Sequence, residues 1–260
     1  MAEFSSWQAY AKFAFAVKRK ERYFRTPEID EFLRLVLESS GNRQKLIPMG
    51  SIFWRAQLGH GWRVVKQDSA EFDDVTAYPP ERMKPLGQYV AEGRINPKGI
   101  PCLYVATDAN TAMSEVRPWL GKYVSVSQFK TLRDLRIVDC SVEHSECRQF
   151  YVEEPLPPER ERAVWRDIDR SFSEPVSASD TSADYVPTQI LAEYFKRSGF
   201  DGVVYKSLLG GAYTIALFDL SAAEMINCSL HVASGVCFTF KEVANPYFVG
   251  KHYSEVTCDV

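Results

Sequence analysis

The sequence lacks the signatures of the commonest nucleotide, nucleophile and metal sites. It contains no P-loop, no Gly-x-Gly-x-x-Gly run, no Gly-x-Ser-x-Gly elbow and no His-Glu-x-x-His pair. It has only four histidines, and none lies in the stretches that carry the candidate motifs. A zinc site or a Ser-His-Asp triad therefore has little support. No metal is expected, and any catalysis should depend on Arg, Tyr, Glu and Ser.

Cysteine pairs, excess charge and long apolar runs are also missing. The six cysteines form no Cys-x-x-Cys pair, and Cys102 and Cys140 lie in apolar runs where small buried thiols are expected. With 31 basic and 34 acidic residues, the net charge of −3 gives no general attraction for nucleic acid. We therefore expect nucleic acid only indirectly, through a partner. The short apolar patch near the N-terminus fits neither a signal peptide nor a membrane span, which predicts a cytoplasmic protein that does not contact a membrane.

The residues that are present suit a large core, because 45% of the chain is hydrophobic and 13% aromatic. Residues 6–19 form an amphipathic pattern, and Thr26 and Pro27 mark the start of a second helix. These helices predict a small N-terminal helical extension over residues 1–46. The remaining pattern predicts strands at 47–57, 101–106, 123–129, 135–140, 203–205 and 213–218, helices at 159–172 and 185–199, and an irregular connection at 58–92. The mixture predicts an α+β domain over 47–225 with an insert near 150–184, followed by C-terminal strands and a tail over 226–260.

Residues 93–118, GRINPKGIPCLYVATDANTAMSEVRP, form the central stretch of the chain. The Gly, Asn and Pro residues of its first part predict a tight loop, and a short buried strand and a helix capped at Asp108 or Asn110 follow. This arrangement could bring Arg94, Asn96, Tyr104 and Glu115 together at one end of a strand-helix unit. A cation, an amide, a phenol and a carboxylate around one cleft suit a substrate that has phosphates and a cleavable bond.

Local pattern alone leaves structural alternatives open for four of the candidates. Arg55 lies in an aromatic strand, where it either pairs with a structural carboxylate or binds an anion in a cleft. Glu115 is either a site residue or a surface partner of a nearby arginine, Arg117 or Arg133. Tyr104 suits a core position as well as a stacking position. Ser207, beside the Gly210-Gly211 turn, either starts that turn or approaches a ligand.

Several ordered motifs together resemble the RES domain, which is named for an arginine, a glutamate and a serine. The matching segments are Arg55 on an early strand, GRINPKGIPCLYVATD, Glu115 in TAMSEVRP, and QILAEYFKRSGFDGVVYKS ending at Ser207. The resemblance spans roughly residues 50–220. The chain departs from the family pattern at Ile95, where an aromatic residue is common, and it is longer than a compact RES toxin.

The resemblance implies a split β core with packed helices, similar to ADP-ribosyltransferases, and activity on NAD⁺ as the substrate. The resemblance implies that Glu115, Arg55 and Ser207 are the catalytic residues. Arg55 and Arg94 would clamp the pyrophosphate, Glu115 would stabilise the ribosyl cation, and Tyr104, Asn96 and Ser207 would contact the dinucleotide. The implied function is a glycohydrolase or phosphorylase that acts as a toxin or defence effector. A protein ADP-ribosyltransferase and a non-catalytic NAD-binding module are the alternatives. The resemblance also implies an antitoxin partner of the helix-turn-helix type and is compatible with a homodimer.

Overall fold

The computed structural model describes residues 3–67, 70–87, 90–144, 150–174, 182–237 and 239–240. The chain begins with two helices, α1 (Ala9–Arg19) and α2 (Pro27–Ser39), and a short 3₁₀ turn at Ser40–Arg43 follows them. α2 begins at Pro27, as its sequence predicts, because proline at the first helical position lacks only an N–H that would have no partner within the helix.

Among the residues that the structure describes, eight strands form one mixed sheet. In chain order they are β1 (Gln44–Ile47), β2 (Ile52–Leu58), β5 (Leu103–Ala106), β6 (Tyr123–Thr131), β7 (Leu135–Asp139), β8 (Gly202–Lys206), β9 (Tyr213–Leu217) and β10 (Ala223–Val232). Their order across the sheet is β1-β7-β8-β9-β5-β2-β6-β10, and only the β7–β8 pairing of this sheet is parallel. The α+β class is therefore confirmed.

The sheet is divided into two halves between β2 and β5. β2 pairs with β6 over its whole length, and β5 pairs with β9 over its four residues. Within the described residues, β2 and β5 share a single backbone pair, Trp54 with Ala106. The two strands therefore diverge beyond this point and leave an opening between the halves, as a split β core requires.

The segment between β2 and β5 contains more structure than its composition suggests. A separate antiparallel hairpin, β3 (Gly61–Gln67) and β4 (Ala70–Thr76), precedes a single helical turn, α3 (Pro80–Met83). The expectation of an irregular connection at 58–92 was wrong for this hairpin. Its apolar residues are largely exposed, so the strands lack the one-sided pattern that identifies a half-buried strand.

The described residues form three further α-helices: α4 (Ala109–Glu115), α5 (Pro157–Ser173) and α6 (Val186–Arg197). α5 and α6 pack on the β7-β8-β9 half through a core that includes Trp165, Phe195 and Val203. Phe13 of α1 and Leu33 of α2 belong to the same core. The N-terminal helices thus form part of one shared core, and at the other end β10 begins at Ala223 and extends the same sheet.

Candidate active site

A cleft of about 680 Å³ opens where the two halves of the sheet diverge. Four of the residues predicted from the sequence line it: Arg55, Arg94, Tyr104 and Glu115. The volume lies in the range of small-molecule sites in proteins. A second cavity, between α5 and the segment after β7, measures only about 230 Å³ and contains none of the predicted residues.

Arg55 spans the division of the sheet. Its Nε donates to the Met83 carbonyl at 2.7 Å, and its Nη1 donates to the Tyr104 carbonyl on β5 at 2.9 Å. No carboxylate pairs with it in the described part of the chain. Burial lowers the pKa of Arg55 to about 10, which leaves the guanidinium protonated at neutral pH. Two carbonyls thus orient this cation without neutralising it.

Arg94 enters the cleft from the loop that follows Gly93. Its Nη1 donates to the carbonyl of Phe172 near the end of α5, and its guanidinium lies 5.9 Å from the centre of the Tyr205 ring. A Cβ at position 93 would lie 2.8 Å from both Asn96 Oδ1 and Tyr104 Oη. The loop therefore needs glycine before Arg94 for reasons of space.

Tyr104 and Asn96 are bonded to each other. The Tyr104 hydroxyl donates to Asn96 Oδ1 at 2.8 Å and accepts the Ile95 N–H at 3.0 Å. Burial raises the pKa of Tyr104 well above its usual value, so the phenol stays neutral. Asn96 is only 2% exposed, and its Nδ2 donates to the Ala91 carbonyl at 3.0 Å. The structure thus places Asn96 behind the cleft, where it fixes the Arg94 loop, and places Tyr104 in the cleft wall.

Glu115 is the last residue of α4. The helix is capped by Asp108, whose Oδ1 accepts the Thr111 N–H at 2.8 Å. Thr214 Oγ1 donates to Glu115 Oε1 across a long 3.4 Å. The alternative of a surface ion pair is not realised in the part of the chain described here, since Arg133 pairs with Asp201 at 2.7 Å and Arg117 makes no ion pair with Glu115.

Ser207 is brought near the site but not into the cleft. It is 1% exposed, and its Oγ accepts the N–H groups of Leu209 at 3.2 Å and Gly210 at 3.0 Å. Gly210 packs so closely on α4 that an added Cβ would lie 2.3 Å from the Thr111 Cα. Ser207 therefore closes the loop that packs against the start of α4. This is the structural alternative given above, in which Ser207 starts a turn instead of contacting a ligand.

Sequence reasoning missed several residues that line the cleft. They are Gln57, Arg117, Tyr185, Tyr205 and Thr214. Tyr205 lies two residues before Ser207 in the same motif, and alternation along β8 could have identified it as the residue to examine. Tyr185 lies outside the motifs identified from the sequence, and no local sequence pattern marked it as a site residue. Among the residues that the structure describes, no group of His, Cys, Asp and Glu could hold a metal ion, and no helix is long and apolar enough to cross a membrane.

Comparison with known proteins identifies a family and a similar solved structure. The model of the RES domain family matches residues 54–240. No curated protein matches the chain. A solved structure from M. tuberculosis, the MbcT-MbcA toxin-antitoxin complex, is similar over 76% of this chain and 93% of that chain, with 13% identity and a TM-score of 0.44.

Proposed function

The chain belongs to the RES domain family, and from that premise we propose that it consumes NAD⁺ by cleaving the bond between nicotinamide and ribose. One observation carries the proposal. A cation and a carboxylate, Arg55 and Glu115, face one cleft, and neither has an ion-pair partner among the described residues. Such a pair of opposite charges matches a substrate that has an anionic pyrophosphate and develops a cation at the ribose.

Arg55 and Arg94 would bind the pyrophosphate. Each guanidinium is held by backbone carbonyls and keeps further N–H groups for a ligand. Hydrogen bonds from arginine to phosphate are charge-assisted and often bidentate, so two arginines can fix both the position and the orientation of the dinucleotide. Binding an anion would also offset the cost of burying the Arg55 charge.

Glu115 would act on the ribose. When the glycosidic bond breaks, its electron pair moves to the pyridinium nitrogen, and nicotinamide leaves as a neutral molecule, so no general acid is needed. The ribose carbon becomes oxocarbenium-like, a charge type that enzymes stabilise with a nearby carboxylate. Water or phosphate then adds to that carbon and loses a proton, giving ADP-ribose or its 1″-phosphate.

The other predicted residues would position these groups. Tyr104 would contact nicotinamide or ribose from the wall of the cleft. Asn96 would act through the loop that carries Arg94, and Ser207 through the turn that supports the helix of Glu115. We propose supporting roles for both, since their hydrogen bonds are already used within the protein.

We further propose that the protein is a toxin or defence effector that depletes NAD⁺ in the cytoplasm. Uncontrolled loss of NAD⁺ would harm the cell that makes the enzyme, so a neutralising partner is expected, and an antitoxin of the helix-turn-helix type is the partner that family membership suggests. A homodimer is compatible with this proposal.

Proton NMR of nicotinamide release tests the proposal. The wild type is incubated with NAD⁺, with and without phosphate, beside Arg55→Ala, Glu115→Gln and the control Glu193→Gln, which changes an exposed carboxylate on α6. Release by the wild type and the control, but by neither cleft variant, is the expected result, and the second product identifies the acceptor. Binding of NAD⁺ without release would favour a target-dependent ADP-ribosyltransferase or a binding module. Neither release nor binding by the wild type would refute the proposal.

A further inference from the structure

A groove of about 580 Å³ adjoins the cleft. Its functional side chains are His60, Arg117, Trp119, Lys122 and Tyr123, and we call it the adjoining groove. Leu58 and Arg117 line both the cleft and this groove, so the two spaces meet at these residues. A ligand longer than the cleft can therefore continue into the groove.

Aromatic rings dominate the groove. His60 lies edge-on to Tyr123, with ring centres 4.9 Å apart and an angle of 79° between the planes. Trp119 is 62% exposed and Tyr123 is 37% exposed, so both rings offer surface to a ligand. Rings of this kind, combined with cations, bind nucleotide bases by stacking with little dependence on the identity of the base.

Arg117 supplies a cation at the junction of the two spaces. It is the only residue other than glycine with a positive φ among those the structure describes, at 48°. This left-handed conformation is unfavourable for arginine, and glycine or asparagine would adopt it more readily. The Arg117 side chain is exposed, and no carboxylate pairs with it in the described ranges. Arg117 therefore combines an unfavourable backbone conformation with a guanidinium that has no counter-ion among these residues at the mouth of the cleft, a combination typical of functional sites.

We propose that the adjoining groove binds the adenylate half of NAD⁺. Arg117 contacts the phosphate nearer the adenosine, and the adenine ring stacks among Trp119, Tyr123 and His60. Lys122 adds a second positive charge at the same end. Glu115 and Arg117 are only two residues apart, so one segment contacts both the ribose that reacts and the far phosphate. The inference rests on the proposed function, because it assigns the second half of the same substrate.

The experiment compares NAD⁺ with nicotinamide mononucleotide, which has the same reacting bond but lacks the adenylate half. Arg117→Gly and Trp119→Ala are each measured with both substrates by nicotinamide release. The expected result is a fall of about tenfold or more in kcat/KM for NAD⁺, from lost phosphate contact or stacking, with kcat/KM for the mononucleotide unchanged. Arg117→Gly should also keep or raise Tm, because glycine adopts the left-handed conformation without strain.

The matched controls replace an exposed arginine and an exposed aromatic residue that lie outside the groove. Arg63→Ala removes an exposed arginine of the β3–β4 hairpin that already pairs with Asp74, and Phe15→Ala removes an aromatic ring of α1 that is 58% exposed. Both controls should keep the wild-type ratio between the two substrates. If Arg117→Gly and Trp119→Ala also keep that ratio, the groove does not bind the adenylate half, and the inference is overturned. An equal loss on both substrates would mean that the groove does not act through the adenylate half and would overturn the inference as well.

A binding measurement separates this inference from the proposed function. If the wild type cleaves neither substrate, the proposed reaction fails, and calorimetric titration with ADP then tests the groove alone. Binding of ADP that weakens in Arg117→Gly and Trp119→Ala would support the adenylate site without the reaction. Absence of ADP binding to the wild type would overturn both.

Discussion

Removing one partner of the buried ion pair between Arg43 and Glu143 should strongly destabilise the protein. Arg43 ends the 3₁₀ turn after α2, whereas Glu143 follows β7, and both carboxylate oxygens accept from the guanidinium. The two side chains are only 6% and 10% exposed. The guanidinium also lies 4.3 Å from the centre of the Trp165 ring on α5. One cation therefore links the N-terminal extension, the sheet and a core helix.

Glu143→Gln leaves Arg43 charged and buried without its counter-ion. Removing one partner of a buried pair costs roughly 3–5 kcal/mol, because the remaining charge stays desolvated. For a domain of this size, each 1 kcal/mol corresponds to about 2–4 °C in Tm. We therefore expect Tm to fall by about 6–20 °C, measured by thermal unfolding and checked by urea denaturation.

The double variant Arg43→Met with Glu143→Leu removes both charges and should be more stable than Glu143→Gln, since no buried charge is left alone. The control is Arg34→Ala, which breaks exposed ion pairs with Glu31 and Glu38 and should change Tm little. A cost of less than about 1 kcal/mol for Glu143→Gln would refute the argument, because the pair would then be as weak as a surface pair and the extension would not depend on it.

Three further predictions concern the site. Gly93→Ala should lower both stability and nicotinamide release, because the new Cβ would lie 2.8 Å from Asn96 Oδ1 and Tyr104 Oη; unchanged Tm and activity would contradict the close packing. Ser207→Ala should cost roughly 0.5–1.5 kcal/mol in denaturant titrations, because the part-buried N–H groups of Leu209 and Gly210 lose their acceptor. A large loss of kcat at unchanged stability would instead indicate contact between Ser207 and substrate. KM for NAD⁺ should stay flat from about pH 6 to 9 and rise near the Arg55 pKa of about 10, where the guanidinium loses its charge; a rise centred near neutral pH would assign the effect to another group.

The fold was predictable where the sequence contains residues typical of helix ends or an apolar pattern that marks one buried face. Pro27 begins α2 and Asp108 caps α4, and one residue determines each of these helix starts. Proline lacks an N–H that would have no partner in the helix, and the Asp108 carboxylate accepts an N–H of the first turn. The β3–β4 hairpin was not predictable, because Trp62 and Val64 are exposed on its surface and do not mark a buried face. The placement of β10 next to β6 depends on pairing between distant segments, which no local pattern encodes.

The candidate site was predictable in part for a similar reason. Arg55 and Tyr104 lie on strands and Glu115 ends a short helix, so their directions follow from regular geometry once those elements are identified. Asn96 and Ser207 lie in turns, where the direction of a side chain depends on contacts with other segments. The close packing of Gly210 on α4 is such a contact, and it determines on which side of the turn Ser207 lies.

The single pair between β2 and β5 has a mechanical consequence. Trp54 with Ala106 is the one point, among the residues described, where the backbones of the two strands are joined, and Arg55 adds a bond from its side chain to β5. Few backbone hydrogen bonds therefore join the two halves at this line, and buried side chains pack across it, since Phe53 of β2 and Leu103 of β5 belong to one cluster. The cleft is lined by residues of both halves, so a molecule bound there would contact both. Core substitutions within either half can thus alter the width of the opening, and with it the affinity for a ligand, without changing any residue that the ligand contacts.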